Sequence, residues 1–274
     1  MNKNRWLIAL SAIAIHLSIG GAYAYSVYKL PIVTEMGWSE TKVTIAFTIM
    51  MGLAGFSAAL FGSLVEKMGP RKSAMVAAVL FGAGQAGGAG VAISMDSVVM
   101  YWLTYGVLSG LGMGGIGYIA PVSTLVKWFP DRRGLATGMA VLGFGSGALI
   151  TAPVAANLME AVGISTTYFI LGASYFTLMI LGGASYIAPP KPGYMPANMK
   201  AAANNGKDVV KKDLAVMSAR EAVKTKHFWM LWSMHLVNVT AGIMMISVAS
   251  PMAQEIVGLS VAGAAAMVGI MGVI

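Results

Sequence analysis

Cysteine is absent from the 274 residues, so neither a disulfide framework nor a thiolate metal site can form, and the redox compartment is left open. Charge is scarce as well. Only 10% of residues are charged and 57% are hydrophobic, whereas a soluble domain carries about a quarter charged residues. The composition is that of a polytopic membrane protein. No Asp, Glu, Lys or Arg is expected in the middle of a long apolar run, which removes intramembrane aspartyl catalysis. The chain lacks H-E-x-x-H, and its nearest approach to G-x-S-x-G, Gly55-Phe-Ser57-Ala-Ala59, lacks the last glycine. An enzyme is therefore not expected, nor a metal or a cofactor. Gly82-x-Gly84-x-x-Gly87 and Gly112-x-Gly114-x-x-Gly117 formally match a dinucleotide fingerprint. Both lie inside apolar runs with no preceding strand, so they carry no such meaning.

Long apolar runs are what the chain has in abundance. Membrane spans are expected near 6–28, 43–65, 73–93, 98–126, 135–157, 166–188, 228–253 and from 259 onward. Lys3 and Arg5 before the first run, with Ala22-Tyr23-Ala24 near its end, imitate a secretory signal. The run is longer than a signal core and seven more follow, so an uncleaved first span is the better reading. Alternating the loops across the bilayer puts sixteen Lys and Arg on one side and only Lys29 and Lys42 on the other. The positive-inside rule then makes the N-terminus and the long central loop cytoplasmic, in a multi-pass protein of the cell membrane. The net charge of +8 serves that topology, and nucleic-acid binding is not expected.

The segment from Ala188 to Thr225 breaks the apolar pattern with four prolines and scattered Lys and Asp. It reads as a linker, with a short surface helix at Met217–Val223 capped by Ser218 and Glu221. The expected organisation is a six-span N-terminal bundle over residues 1–188, a cytoplasmic linker over 189–226 and the start of a second bundle over 227–274. Ile274 closes an apolar run with no loop after it, so a fragment lacking most of the second half is expected.

Glycine pairs four residues apart, Gly84 with Gly88, Gly134 with Gly138 and Gly143 with Gly147, and the row Gly106, Gly110, Gly114, read as faces for close helix contact. Tyr118 continues that row by one turn. Two readings stand for it: a hydroxyl facing a cavity, or a hydroxyl bonded to a neighbouring helix. The other polar or aromatic residues expected inside the spans are His16, Tyr23, Tyr25, Tyr28, Gln85, Phe144, His235 and Asn238. His16, seven residues before Tyr23, shares its face; it reads first as a packed neutral histidine and second as a proton-coupling group. Tyr25 and Tyr28 read as residues of the interfacial aromatic belt.

Two strings between spans are more specific. The first is Gly62-x-Leu64-x-Glu66-Lys67-x-Gly69-x-Arg71-Lys72, a charged hairpin with a proline at position 70. It resembles the signature loop between the second and third spans of the major facilitator superfamily. The second is Lys127-Trp-Phe-Pro-Asp-Arg-Arg-Gly-Leu-Ala-Thr-Gly138. With Gly143-Phe-Gly145 after it and His227-Phe-Trp-Met-Leu-Trp232 opening span 7, it resembles the oxalate/formate antiporter family, which is related to the monocarboxylate transporters. The resemblance runs from about Arg5 to the end of the chain.

That resemblance implies an all-α major facilitator fold and secondary transport of a small carboxylate, of the oxalate, formate, lactate or pyruvate kind, by alternating access. It also implies exchange or proton coupling, with no oligomer required. Tyr23 and Tyr118 match tyrosines lining the family's central cavity, and Phe144 stands where the oxalate carrier has another tyrosine. With His16 these form the expected substrate site. Glu66 takes the signature loop's usual aspartate position and is expected to pair with Arg71; the gating set is Gly62, Glu66, Gly69, Arg71, Asp131, Arg132 and Arg133. The family's cationic substrate ligands fall beyond this chain, where at least one buried Arg or Lys is expected. The alternatives are a facilitator for a sugar or drug-like cation and a membrane sensor or scaffold that does not transport.

Overall fold

The computed structural model describes residues 4–191, 193–204 and 219–273, with the backbone alone at 59, 201–204, 219 and 220. Every regular element among them is helical. Span 1 covers Arg5–Met36. Asn4 opens it by accepting a hydrogen bond from the Trp6 amide at 2.9 Å, and Gly37, at φ 64°, closes it. The span is therefore longer than the 6–28 expected from sequence, and Lys29 belongs to the helix rather than to a loop. Lys29 is buried and pairs with Glu40 at 2.7 Å. Its aliphatic stem packs inside while the charge meets a carboxylate near the helix end, which lets an apolar helix continue past a lysine.

Spans 2 and 3, residues 40–68 and 70–94, form a tight hairpin: both arms are helical and only Gly69 leaves helical geometry, at φ 76° and ψ 164°, while at the far ends Trp38 donates to Asp96 at 2.7 Å. A side chain disfavours that positive φ, and Pro70 then starts the next helix with its φ already set. Spans 5 and 6, residues 133–162 and 164–184, meet in the same way at Gly163, φ 79°. Span 4, Val98–Trp128, packs chiefly on spans 2 and 3, and its stretches Trp102–Leu108 and Gly112–Tyr118 are wound in wide π-type turns. Span 7 is Lys226–Glu255, and Val261–Met271, where an eighth span was expected, is a shorter apolar helix of 11 residues. Between spans 6 and 7, Ala197–Asn204 and Ala219–Ala222 are short helices; Met217 and Ser218 of the expected linker helix lie outside the described residues.

Small residues decide which spans touch. A Cβ on Gly110 would lie 2.8 Å from the Met50 carbonyl oxygen, and one on Gly114 would overlap Ala54 and Ser57, so the glycine row of span 4 is the contact face for span 2. Gly84 and Gly88 seat span 3 on Thr104 and Ser109 of span 4, and Gly143 and Gly147 seat span 5 on span 1. Gly134 and Gly138 have open space instead, so their spacing marks no contact.

Tyr25 and Tyr28 do not form a lipid-facing belt. Both are buried: Tyr25 stacks on Phe47 at 4.3 Å between ring centroids, and Tyr28 on Tyr168 at 4.9 Å. Tyr101 and Tyr105 join the cluster, and the Tyr101 and Tyr168 hydroxyls share a hydrogen bond of 3.0 Å. This aromatic plug fills the bundle at the end away from the N-terminus. At that same end Ala249, Ser250, Pro251 and Ala253 of span 7 are buried, and the far part of span 7 packs on the far part of span 1. Toward the end that carries the N-terminus, span 7 stands away, with Trp229, Leu231 and Met234 exposed.

Candidate functional site

Between the bundle and span 7 lies a cavity of about 430 Å³, lined by Tyr23, Tyr118, Phe144 and His235 together with Met51 and Met113. It runs into a second space of about 520 Å³ between spans 2 and 7, which shares Met51 and His235 with it. Three of the four expected substrate-site residues thus meet across spans 1, 4 and 5. Phe144 is the hub: its ring meets Tyr23 edge-on at 4.8 Å and Tyr118 at 5.6 Å, with interplanar angles of 86° and 87°. Edge-to-face packing fixes ring positions while leaving the phenol ends free.

Among the described residues neither the Tyr23 nor the Tyr118 hydroxyl has a hydrogen-bond partner in the protein. The buried tyrosines elsewhere contrast with them, for Tyr175 bonds Thr151 at 2.9 Å and Tyr101 bonds Tyr168. Tyr118 remains 37% exposed although the glycines before it are sealed against span 2. Of its two sequence readings, the one that bonds the hydroxyl to a neighbouring helix is not what the structure shows. Phenol groups left free in an apolar cavity can donate to an entering acceptor.

His16 does not line this cavity. It is fully buried one ring behind it, stacked on Tyr118 at 5.0 Å, with Nδ1 2.8 Å from the Ala140 carbonyl oxygen and Nε2 3.2 Å from that of Tyr118. The seven-residue spacing puts it on the Tyr23 side of span 1, but span 5 packs over it, with Gly143 against its Cβ. Gln85 is spent on Ser109 at 3.4 Å, and Asn238 is exposed outside both spaces.

The gating residues fall into two groups. Gly62, Glu66 and Gly69 border a small space of about 140 Å³ together with Lys127. Among the described residues Glu66 and Arg71 form no ion pair; both are exposed, on either side of the Gly69 turn. The pair that does form joins Arg5 to Asp131, with Nη1 3.0 and 3.1 Å from the two carboxylate oxygens. Asn198, from the linker, donates to the same carboxylate at 3.1 Å. Arg5 also lies 4.9 Å from the Phe129 ring centre, and Trp128 donates to the Ala188 carbonyl at 2.7 Å while packing on Tyr194. Arg132 stays mostly exposed, its Nε 4.0 Å from Asp131, and Arg133 begins span 5. Burial pushes the Asp131 carboxyl up, but the hydrogen bonds from Arg5 and Asn198 outweigh it and hold the group below its ordinary value.

Sequence reasoning missed Arg5 and Asn198 as partners of Asp131, and Met51 and Met113 as cavity walls. Arg5 and Asp131 are 126 residues apart, and a methionine inside an apolar span gives no signal that distinguishes cavity from lipid.

The sequence model of the Major Facilitator Superfamily matches residues 10–274. The chain belongs to that superfamily. It is 29% identical to the uncharacterized MFS-type transporter YhjX of Escherichia coli (strain K12) over 272 residues, covering 99% of this chain and 63% of YhjX. It is 28% identical to the oxalate:formate antiporter of Oxalobacter formigenes over 254 residues, 92% of this chain and 56% of the antiporter. Human monocarboxylate transporter 14 shows 26% identity over 192 residues, 70% of this chain and 36% of that protein. The chain thus spans between half and two thirds of the length of the first two relatives. Among the described residues no three His, Asp or Glu come together as a metal site.

Proposed function

We propose that the protein is a secondary transporter of a small carboxylate anion, of the oxalate, formate, lactate or pyruvate kind, working by alternating access. The observation that carries this reading is the pair of hydroxyls, Tyr23 and Tyr118, that have no partner among the described residues and are set around Phe144 in a mostly apolar cavity that His235 also lines. A carboxylate has up to four acceptor positions and two oxygens in one plane, so two converging phenols can each donate to it. Phe144 offers a ring edge, the positive rim of its quadrupole, in place of a third donor. Similarity to an oxalate:formate antiporter and to a monocarboxylate transporter points to the same substrate class.

In this reading residues 1–188 are the first bundle, 189–226 a cytoplasmic linker and 227–274 the start of the second bundle. The sixteen-to-two distribution of Lys and Arg puts the N-terminus on the cytoplasmic side of the cell membrane. Contact of span 7 with span 1 at the far end, and its separation at the N-terminal end, then corresponds to a site open to the cytoplasm. Among the described residues no Arg or Lys lines the cavity, and an uncompensated anion is costly to desolvate. The reading therefore requires a positive partner for the anion that no Arg or Lys of the described cavity lining supplies.

The test is uptake into proteoliposomes by the full-length protein, offered labelled oxalate, formate, pyruvate and lactate beside a neutral sugar and an organic cation. Saturable uptake or exchange of one or more carboxylates supports the reading. Uptake of the sugar or the cation with none of the four carboxylates overturns it.

A further inference from the structure

His16 has a bonding problem that the cavity can solve. Both of its ring nitrogens point at backbone carbonyl oxygens, Nδ1 at Ala140 in span 5 and Nε2 at Tyr118 in span 4. A carbonyl oxygen only accepts, and a neutral imidazole has a single N–H. Neutral His16 therefore donates to one carbonyl and turns a lone pair toward the other, whereas the imidazolium donates to both. The imidazolium is the form that fits the backbone.

Among the described residues, what the imidazolium lacks is an anion. From span 4 it faces the Tyr118 ring, and from span 5 Phe144, Ala140 and Gly143, of which only Tyr118 is titratable. From span 6 the nearby Ile15 is met by Gly183, and the hydroxyl of Tyr175 is held by Thr151. Along span 1 the titratable neighbour on its own face is Tyr23. The nearest ion pair, at Arg5, is eleven residues down the helix, about 16 Å at the rise of an α-helix. A buried charge so placed is unfavourable alone. An anion in the cavity would lie just across the Tyr118 ring, close enough in an apolar setting to balance it.

We propose that His16 is a proton site whose occupancy is tied to that of the cavity: one proton binds at His16 as one anion binds beside Tyr118 and Tyr23. The inference rests on the carboxylate reading above and adds the group that would take up the proton. His16 keeps its two backbone bonds throughout, so the anion is sensed through charge and not through direct contact.

The experiment is calorimetric binding of oxalate and of pyruvate to the purified full-length protein near pH 7.5, in buffers of different ionisation enthalpy. The slope of heat against buffer enthalpy counts protons. Close to one proton taken up per anion is expected for the unaltered protein, with affinity falling about tenfold per pH unit on the alkaline side. His16→Gln, which retains one donor, should bind with proton uptake near zero, and His235→Gln, at the cavity wall, should keep the proton count. Binding with no proton uptake by the unaltered protein overturns the inference while sparing the carboxylate reading, and so does undiminished uptake in His16→Gln. If His16→Gln fails to fold, His235→Gln decides: one proton still taken up per anion supports the inference, and uptake lost there overturns it. Where oxalate and pyruvate do not bind, formate and lactate are titrated in the same way, and failure of all four to bind at any pH removes the carboxylate reading and this inference with it.

Discussion

The contact between spans 2 and 4 is set by the absence of side chains, and adding one methyl group tests it. At Gly114 a Cβ would sit 2.5 Å from the Ala54 Cα and overlap its carbonyl oxygen and the Ser57 hydroxyl. Restoring ordinary carbon contact at ~3.5 Å requires the two helices to separate by roughly 1 Å. Backbone cannot step aside as a flexible side chain can. Overpacking of this kind costs about 1–3 kcal/mol, against a gain of up to about 1 kcal/mol from replacing glycine in a helix. Gly52 is the control, because a Cβ there meets nothing within 4 Å. Gly114→Ala should therefore be less stable than Gly52→Ala by about 1–3 kcal/mol, which for a chain of this size is a Tm difference of roughly 2–12 °C. Thermal unfolding of the two variants in the same detergent measures it. Equal midpoints would mean that the glycine row is not a tight contact, and the argument from glycine spacing would fail.

Other outcomes follow from the same geometry. Asp131→Asn should lower stability by about 1 kcal/mol at neutral pH, since it weakens a charge-assisted pair that is partly screened on the Arg5 side. Because the Asp131 pKa is depressed on folding, its contribution is complete above the ordinary carboxylate pKa and is lost as pH falls below it. Stability measured from pH 7 down to pH 3 should show the gap between the unaltered protein and Asp131→Asn closing only at the acid end. Glu66→Gln should leave unfolding unchanged, as Glu66 is exposed; if the hairpin gates, initial transport rates fall, and unaltered rates would show it to be topogenic only. Tyr28→Phe should leave substrate affinity unchanged because Tyr28 packs in the aromatic plug and not in the cavity; a loss there would put the site at the wrong depth.

Eight apolar runs and the Gly69–Pro70 turn were readable because length, charge placement and a proline after a glycine each have a direct backbone consequence. The far end of span 1 was not. A span apolar on every side gives no periodic sign of which face meets lipid, so Tyr25 and Tyr28 looked like belt residues and Lys29 like part of a loop. Tyr23, Tyr118 and Phe144 were named through family resemblance, and the structure brings them together. His16 shares their side of span 1, yet whether a ring is at a cavity wall or one layer behind depends on span 5. The Glu66–Arg71 pairing was expected from the family's signature loop; among the described residues the two charges, on either side of the Gly69 turn, form no ion pair. Asp131 instead finds Arg5, a partner no local rule indicates.

The most direct test of the central claim is the substrate affinity of Tyr23→Phe and Tyr118→Phe in full-length protein in proteoliposomes. Each change removes one hydroxyl that has no partner among the described residues and keeps the ring packed on Phe144, so stability should hold. A hydrogen bond to the solute is worth about 0.5–1.5 kcal/mol, somewhat more for a charged acceptor, so each variant should bind carboxylate roughly threefold to tenfold more weakly. Affinities equal to that of the unaltered protein in both variants would mean that the tyrosines only pack helices, and the cavity would no longer be the carboxylate site.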